Sequence, residues 1–180
     1  TVYVLIYNKI YHERESLYPR TIERLIDLLN ATGLSYEIIK YGEYHHEQYM
    51  AALRRCRTMA FFAHSEVQGN AQIQASAMNM PIFAWDEGIW LDPLARQLSD
   101  QPVPASSVTH FDGRCGLRFK MDDMDARWAE FWSQRSHYKP RAYVAEQLDS
   151  SNSAALYLSY YREAASLPPA NQVQLRERLT

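Results

Sequence analysis

Cysteine is scarce in this chain: Cys56 and Cys115 are its only two, too few for a disulfide framework or a cysteine zinc site. The expected setting is a reducing, cytoplasmic one. A basic excess is also missing. Nineteen Lys and Arg stand against 21 Asp and Glu, a formal charge of −2, so nucleic acid is not an expected partner and any anion must be met locally. No apolar run approaches the roughly 18 residues of a membrane span. The apolar start from Val2 to Tyr7 has its basic residues after it rather than before, so it reads as a strand and not a signal peptide. Internal repeats and low-complexity segments are absent. What is present is 47% hydrophobic residues in a chain of 180, enough for the core of a single domain. That domain is expected over residues 1–167, ending at Pro168-Pro169. Residues 168–180 then form a tail or marginal helix whose large apolar residues are Val173, Leu175 and Leu179. The chain opens on Thr1 rather than Met and enters a strand at once, which reads as a piece of something longer.

Hydrophobic period sets the element order. Val2 to Tyr7 is a nearly continuous apolar, β-rich run, the mark of a strand covered on both faces. Pro19 and Thr21 open a helix with Ile22, Leu25, Ile26 and Leu29 on one stripe, and Gly33 stops it. Ser35 to Tyr41 is a second strand, followed by a helix carrying Tyr49, Leu53 and Cys56 on one face. Then come a strand over Met59 to Ala63, a helix over Ala71 to Met78 and a short strand from Pro81 to Trp85. Beyond Trp85 the pattern loosens, with one or two helical turns inside Ile89 to Leu98, a strand at Val108 to Phe111, and a turn at Asp112-Gly113. Gly116 to Phe119 is extended. Asp123 caps a helix with Met124, Trp128, Phe131 and Trp132, and two more helices follow, Pro140 to Leu148 and Ser151 to Ala165.

Strands alternating with helices give an α/β fold: a doubly wound, Rossmann-like domain of three layers around a mainly parallel sheet. In such sheets ligands bind beyond the carboxyl ends of the strands. The loops that matter are therefore Asn8 to Tyr18, Tyr41 to His46, His64 to Asn70, Asp86 to Trp90 and Asp112 to Cys115.

Of these, His64-Ser65-Glu66-Val67-Gln68-Gly69-Asn70 carries the most chemistry. It leads from a buried strand into a helix whose first amides have no intrahelical acceptor, and Gly69 lets a phosphate approach that backbone without meeting a Cβ. Gln74, four residues after Asn70, lies on the same helical face one turn further in. A carboxylate and a glycine before a helix also suit an ordinary solvated turn.

The run from Ser65 to Gly88 resembles the nucleotide-sugar signature of group 1 retaining glycosyltransferases, which have the two-domain GT-B architecture. That pattern has Ser, two residues and Glu-Gly-Phe-Gly, then a second Glu opening Glu-Ala-Met-Ala-x-Gly-x-Pro, a short apolar strand and Asp-x-Gly. Glu66 and Gly69 match its first part and Gln74 falls at its second Glu. Ala75, Ala77, Pro81, Asp86 and Gly88 continue the register without a gap. Gly116-Leu117-Arg118-Phe119 is similar to the family's Gly-Leu-Leu-Val element, and Tyr143 with Tyr157 to Tyr161 to its closing helices. The likeness spans roughly Ser35 to Arg162 and is most specific between Glu66 and Gly88.

The resemblance implies the C-terminal, donor-binding half of such an enzyme, taking a nucleotide-diphosphate sugar for retaining hexosyl or related transfer, with no metal and no cofactor. It gives Glu66 the catalytic role beside the sugar, Gln74 the ribose, and the amides of Asn70 and Ala71 after Gly69 the pyrophosphate. Lys9 and Arg14, five apart as the family's Arg and Lys are, would close on the same diphosphate. The acceptor would sit on another domain or a separate chain, so this chain alone is expected to bind donor without transferring sugar. A non-catalytic nucleotide- or partner-binding module derived from the fold is the alternative.

Three residues depart from the pattern. Gln74 has one acceptor oxygen where a carboxylate has two, so it cannot accept from both vicinal hydroxyls. Val67 replaces the first glycine and should narrow the room beside the sugar. Asn79 replaces the glycine that ends the helix, a change that Asn tolerates in the left-handed conformation.

Other candidates have simpler readings. His45, His46 and Glu47 point about 100° apart on a helix and lack a third ligand. His64 and His110 end strands at the carboxyl edge, where either could line a pocket or simply be hydrogen-bonded. Both cysteines read as packing residues, as do Trp128, Phe131 and Trp132, while Trp85 and Trp90 flank Asp86-Glu87-Gly88 and are either core or a cover for a sugar or base. A flavodoxin-like receiver would need acidic residues after the first strand, and Tyr7-Asn8-Lys9 does not supply them. The thirteen tyrosines have no reading.

Overall fold

Five short strands, rich in β-branched and aromatic residues, make one sheet. In the computed structural model, which describes residues 2–167, these are β1 (Val2–Lys9), β2 (Tyr36–Lys40), β3 (Cys56–Ala63), β4 (Ile82–Trp85) and β5 (Gly116–Phe119). All pair in parallel, in the order β2-β1-β3-β4-β5. The helices are α1 (Arg14–Tyr18), α2 (Arg24–Ala31), α3 (His46–Arg55), α4 (Asn70–Ala77), α5 (Ala95–Leu98), α6 (Met124–Gln134), α7 (Pro140–Gln147) and α8 (Ser150–Ser166). With helices on both faces of the sheet, the architecture is the α/β, Rossmann-like three-layer fold that the alternating pattern implies. The described residues divide into two compact units, the first ending at Val144 and the second beginning at Ala145. The tail expected over 168–180 lies outside the described residues.

The strand period of two sorts the core into two layers. Leu5, Tyr7, Met59, Phe61 and Ile82 pack with Tyr49 and Leu53 of α3 and Ala75 of α4. Val4, Ile6, Phe62, Phe83 and Trp85 face the other way, onto Leu25 and Leu29 of α2 and Trp128 and Phe131 of α6. Phe83 stacks on Phe119 at 4.0 Å and meets Trp128 edge-on at 5.2 Å, so the α6 aromatics are core. Trp132 is half-buried and stacks on Trp128.

Several elements differ from their expected form. Helical structure starts at Arg14, not Pro19, and runs through Pro19 as a π turn over Pro19–Glu23. Proline has no N–H to give the ladder, and two residues on the Thr21 hydroxyl donates to the Leu17 carbonyl at 2.7 Å. Cys56 is not on the α3 stripe; it is extended and opens β3. Val108 to Phe111 is no strand. Its carbonyls are met by the Arg118 guanidinium and the Ser106 hydroxyl instead of a ladder. Asp112 to Cys115 therefore precede β5, and the Cys115 carbonyl accepts from the Ile82 amide that opens β4. That loop lies at the amino edge of the sheet, opposite the ligand edge. Asp123 stands before α6, but its carboxylate turns back to the Lys120 amide at 2.8 Å rather than capping the helix.

Gly116 opens β5 at φ 147°, and a Cβ there would fall on the backbone of Ile82, whose carbonyl carbon and nitrogen lie 2.8 Å from its position. In the second unit, the Asp149 carboxylate accepts from the Ser151 amide at 2.8 Å and caps α8. Among the described residues no helix is long and apolar enough to cross a membrane.

Candidate functional site

β1 has β2 on one side and β3 on the other. The connections leaving its carboxyl end and that of β3 diverge, which opens a crevice at the point where strand order reverses. A cavity of about 780 Å³ lies there, within the first unit. Its walls come from the end of β1, the turn after β2, the loop after β3, the first turns of α3 and α4, and the 103–105 segment with Trp90.

Six of the seven sequence candidates line this one cavity: Lys9, Glu66, Gly69, Asn70, Ala71 and Gln74. Arg14 does not. Because the helical run begins at residue 14, its guanidinium lies over the Tyr18 ring, 5.8 Å from the centroid, and not at the mouth of the crevice. Val67 is 98% exposed at the rim.

Gly69 sits left-handed at φ 71° before α4, and no side chain caps the helix. The first amide bonded within α4 is that of Ile73, to the Gly69 carbonyl at 3.0 Å, so the amides of Asn70 and Ala71 precede the ladder on residues that line the cavity. At the other end Asn79 is left-handed at φ 61°, and the Met80 amide returns to the Ala75 carbonyl, the stop that Asn allows.

Lys9 leaves the end of β1 and Glu66 the loop after β3. Their side chains meet at 2.6 Å, and the ammonium also lies 4.5 Å from the centroid of the Tyr41 ring. The pair is mostly buried, at 17% and 11% side-chain exposure. Carboxylate and lysine thus face the same cavity as the helix amides, a combination that can bind a polar ligand carrying both an anion and hydroxyls.

Tyrosines form much of the remaining wall and were not singled out from sequence. The Tyr7 and Tyr44 hydroxyls bond at 2.7 Å, and Tyr49 donates to the Ala71 carbonyl at 2.6 Å, tying α3 to the first turn of α4. Burial, the largest cause, pushes both the Tyr7 and Tyr49 phenols far above their ordinary range, so they act as neutral hydrogen-bonding groups. Tyr7 near the end of β1 and Tyr44 in the turn after β2 stand at the ligand edge, whereas Tyr49, inside α3, carries no such signal.

Asp86 and Gly88 support the cavity from behind. The Asp86 carboxylate accepts from the Ser106 hydroxyl at 2.6 Å and the Gly88 amide at 3.1 Å, and it pairs with Arg118 at 3.3 Å. Ser106 in turn accepts from the Glu66 amide, and Val103 from that of Trp90. The 103–105 wall is thereby fixed to Glu66 and Trp90. Trp85 is core, whereas Trp90 lines the cavity.

Among the other candidates, His46 lines the cavity and His45 opens α3, its amide donating to Gln48 at 2.7 Å. His110 lies in the 106–111 loop, not at a strand end. Cys56 and Cys115 are buried and unpaired, and burial pushes the Cys56 thiol up to about 11, out of the nucleophilic range. Among the described residues no three His, Cys, Asp or Glu side chains gather as a metal-ligand group.

His64 is buried after β3 among the rings of Tyr11, His12 and Trp85. Burial, and secondly His12, hold its imidazole below the ordinary value of 6.5. The unfolded chain then binds more protons than the folded one just below that value. Stability present above about pH 6.5 falls on acidification, by up to about 1.4 kcal/mol per unit, until the folded-state value is passed. Denaturation of the parent and of His64→Phe at about pH 7.5 and 5.5 checks this. The variant should lose that part of the slope, and equal slopes would refute it.

No protein-family model matches the chain, and no curated protein matches it.

Proposed function

We propose that the cavity holds a nucleotide-diphosphate sugar and that this unit is the donor-binding half of a retaining glycosyltransferase of the GT-B kind. The observation that supports it is the convergence of Lys9, Glu66, Gly69, Asn70, Ala71 and Gln74, separated by up to 65 positions in sequence, on one cavity at the strand-order reversal. In this reading the diphosphate lies on the α4 amides with Lys9 beside it. Glu66 accepts hydroxyls of the sugar, and Gln74 meets the ribose. The bond between the anomeric carbon and the diphosphate oxygen breaks, the amides and Lys9 take up the charge of the departing diphosphate, and Glu66 steadies the positive charge left on the sugar. An acceptor hydroxyl, brought by another domain or chain, forms the new bond on the same face and passes its proton to the departing diphosphate oxygen. The unit by itself binds donor and transfers nothing.

Gln74 also favours a second reading, a binding module without catalysis, because an amide grips two vicinal hydroxyls less well than a carboxylate. Titration with nucleoside diphosphates and their sugars, read by tryptophan fluorescence, to which Trp90 at the cavity wall contributes, tests the site. A saturable change is expected, that of the sugar nucleotide weakened in Glu66→Ala, which loses the acceptor for its hydroxyls, and tightened about tenfold in Gln74→Glu, which supplies the second ribose acceptor. No change with any of them at millimolar concentration overturns the donor site. Transfer by the unit joined to an acceptor domain separates enzyme from module.

A further inference from the structure

We infer, resting on the donor reading above, that Lys9 and Glu66 are an exchange pair that makes the cavity select a sugar-bearing nucleoside diphosphate over the bare one. The two groups the donor needs are already spent on each other: the cation at the end of β1 is held by the carboxylate after β3 at 2.6 Å. Among the described residues Lys9 is the only hydrogen-bond partner of the Glu66 carboxylate. A diphosphate at the start of α4 draws Lys9 away and leaves Glu66, only 11% exposed, without a counter-charge, which is costly in a partly dry site. Sugar hydroxyls donate to that carboxylate and replace the lost partner. A bare nucleoside diphosphate brings none.

The Tyr41 ring gives the ammonium a second station beside the pair, so the lysine can turn between carboxylate and phosphate without leaving the wall. The same exchange acts after transfer. Once the sugar has gone, Glu66 regains Lys9 and the diphosphate loses its cation. The pair therefore links retention of the donor to release of the product.

The test measures by calorimetry the affinity of uridine, adenosine and guanosine diphosphates, their glucose conjugates and inorganic pyrophosphate for the parent chain and for Glu66→Gln. The parent is expected to bind the sugar nucleotide about tenfold more tightly than its bare counterpart. In Glu66→Gln the bare nucleotide and pyrophosphate should bind about tenfold more tightly than to the parent, and the preference for the sugar should fall to near one. Unchanged or weaker binding of the bare nucleotide to Glu66→Gln overturns the exchange while leaving the donor site intact. Absence of all nucleotide binding to the parent overturns both. A measurement on the unaltered protein stands apart from the folding of the variant: pyrophosphate alone should shift the NMR signal of the Lys9 ammonium and of the Glu66 carboxylate together, and a shift of Lys9 alone refutes the link.

Discussion

Gly116→Ala should remove most of the stability of the 1–144 unit, a loss of about 4 kcal/mol or more, in the exceptional range for a single methyl. Two causes act together. The residue sits at φ 147°, a conformation that side chains rarely adopt. The added carbon would also land on the carbonyl of Ile82, which is backbone and cannot rotate aside. Ile82 is fixed in turn, pairing with Met59 on β3 and donating its amide to Cys115. Relief requires β5 to leave β4, and Phe119 then loses its stack on Phe83. Chemical denaturation measures the loss, with Gly113→Ala as a control, since a Cβ there meets nothing within 4 Å and should cost within about 0.5 kcal/mol. A similar result for the two variants would contradict the strand contact.

If the cavity holds a sugar nucleotide as proposed, Gly69→Val should lower its affinity about a hundredfold while costing only about 1–3 kcal/mol of stability. At φ 71° a β-branched residue is strained, and its Cβ would sit 3.0 Å from the Gln72 amide nitrogen and 3.1 Å from its Cγ. These are side-chain and not backbone atoms, so Gln72, although buried, can give by a few tenths of an ångström and the cost stays in that range. The site cannot, because two methyl groups then stand beside the amides of Asn70 and Ala71 on a residue that lines the cavity. Gly69→Asn separates the two effects. Asparagine accepts the left-handed conformation, so stability should largely return while affinity stays low. Titration of the three proteins with one sugar nucleotide decides it, and parent-like affinity in Gly69→Val moves the diphosphate away from α4.

What was legible in the sequence follows from how local each signal is. β1, β3 and β4 were readable because a strand covered on both faces must be apolar throughout. The start of α4 was readable because a helix N-terminus is written in consecutive residues. Val108 to Phe111 was misread since it has strand composition, yet the groups that satisfy its backbone belong to Ser106 and Arg118. Arg14 was placed by spacing alone, and the early start of α1 turned it away. Tyr7, Tyr44 and Tyr49 formed no motif because three separate elements carry them and only the strand order brings them together.

The segment from Val103 to Ala105 stands outside the sheet, fastened at its ends to Trp90, Gly88 and the Asp86–Ser106 contact. A wall attached this way is a replaceable panel. Its sequence between the fastenings can be exchanged without disturbing a single strand pair, so libraries built on residues 103–105 should retune which ligand the crevice admits while the scaffold keeps its melting temperature.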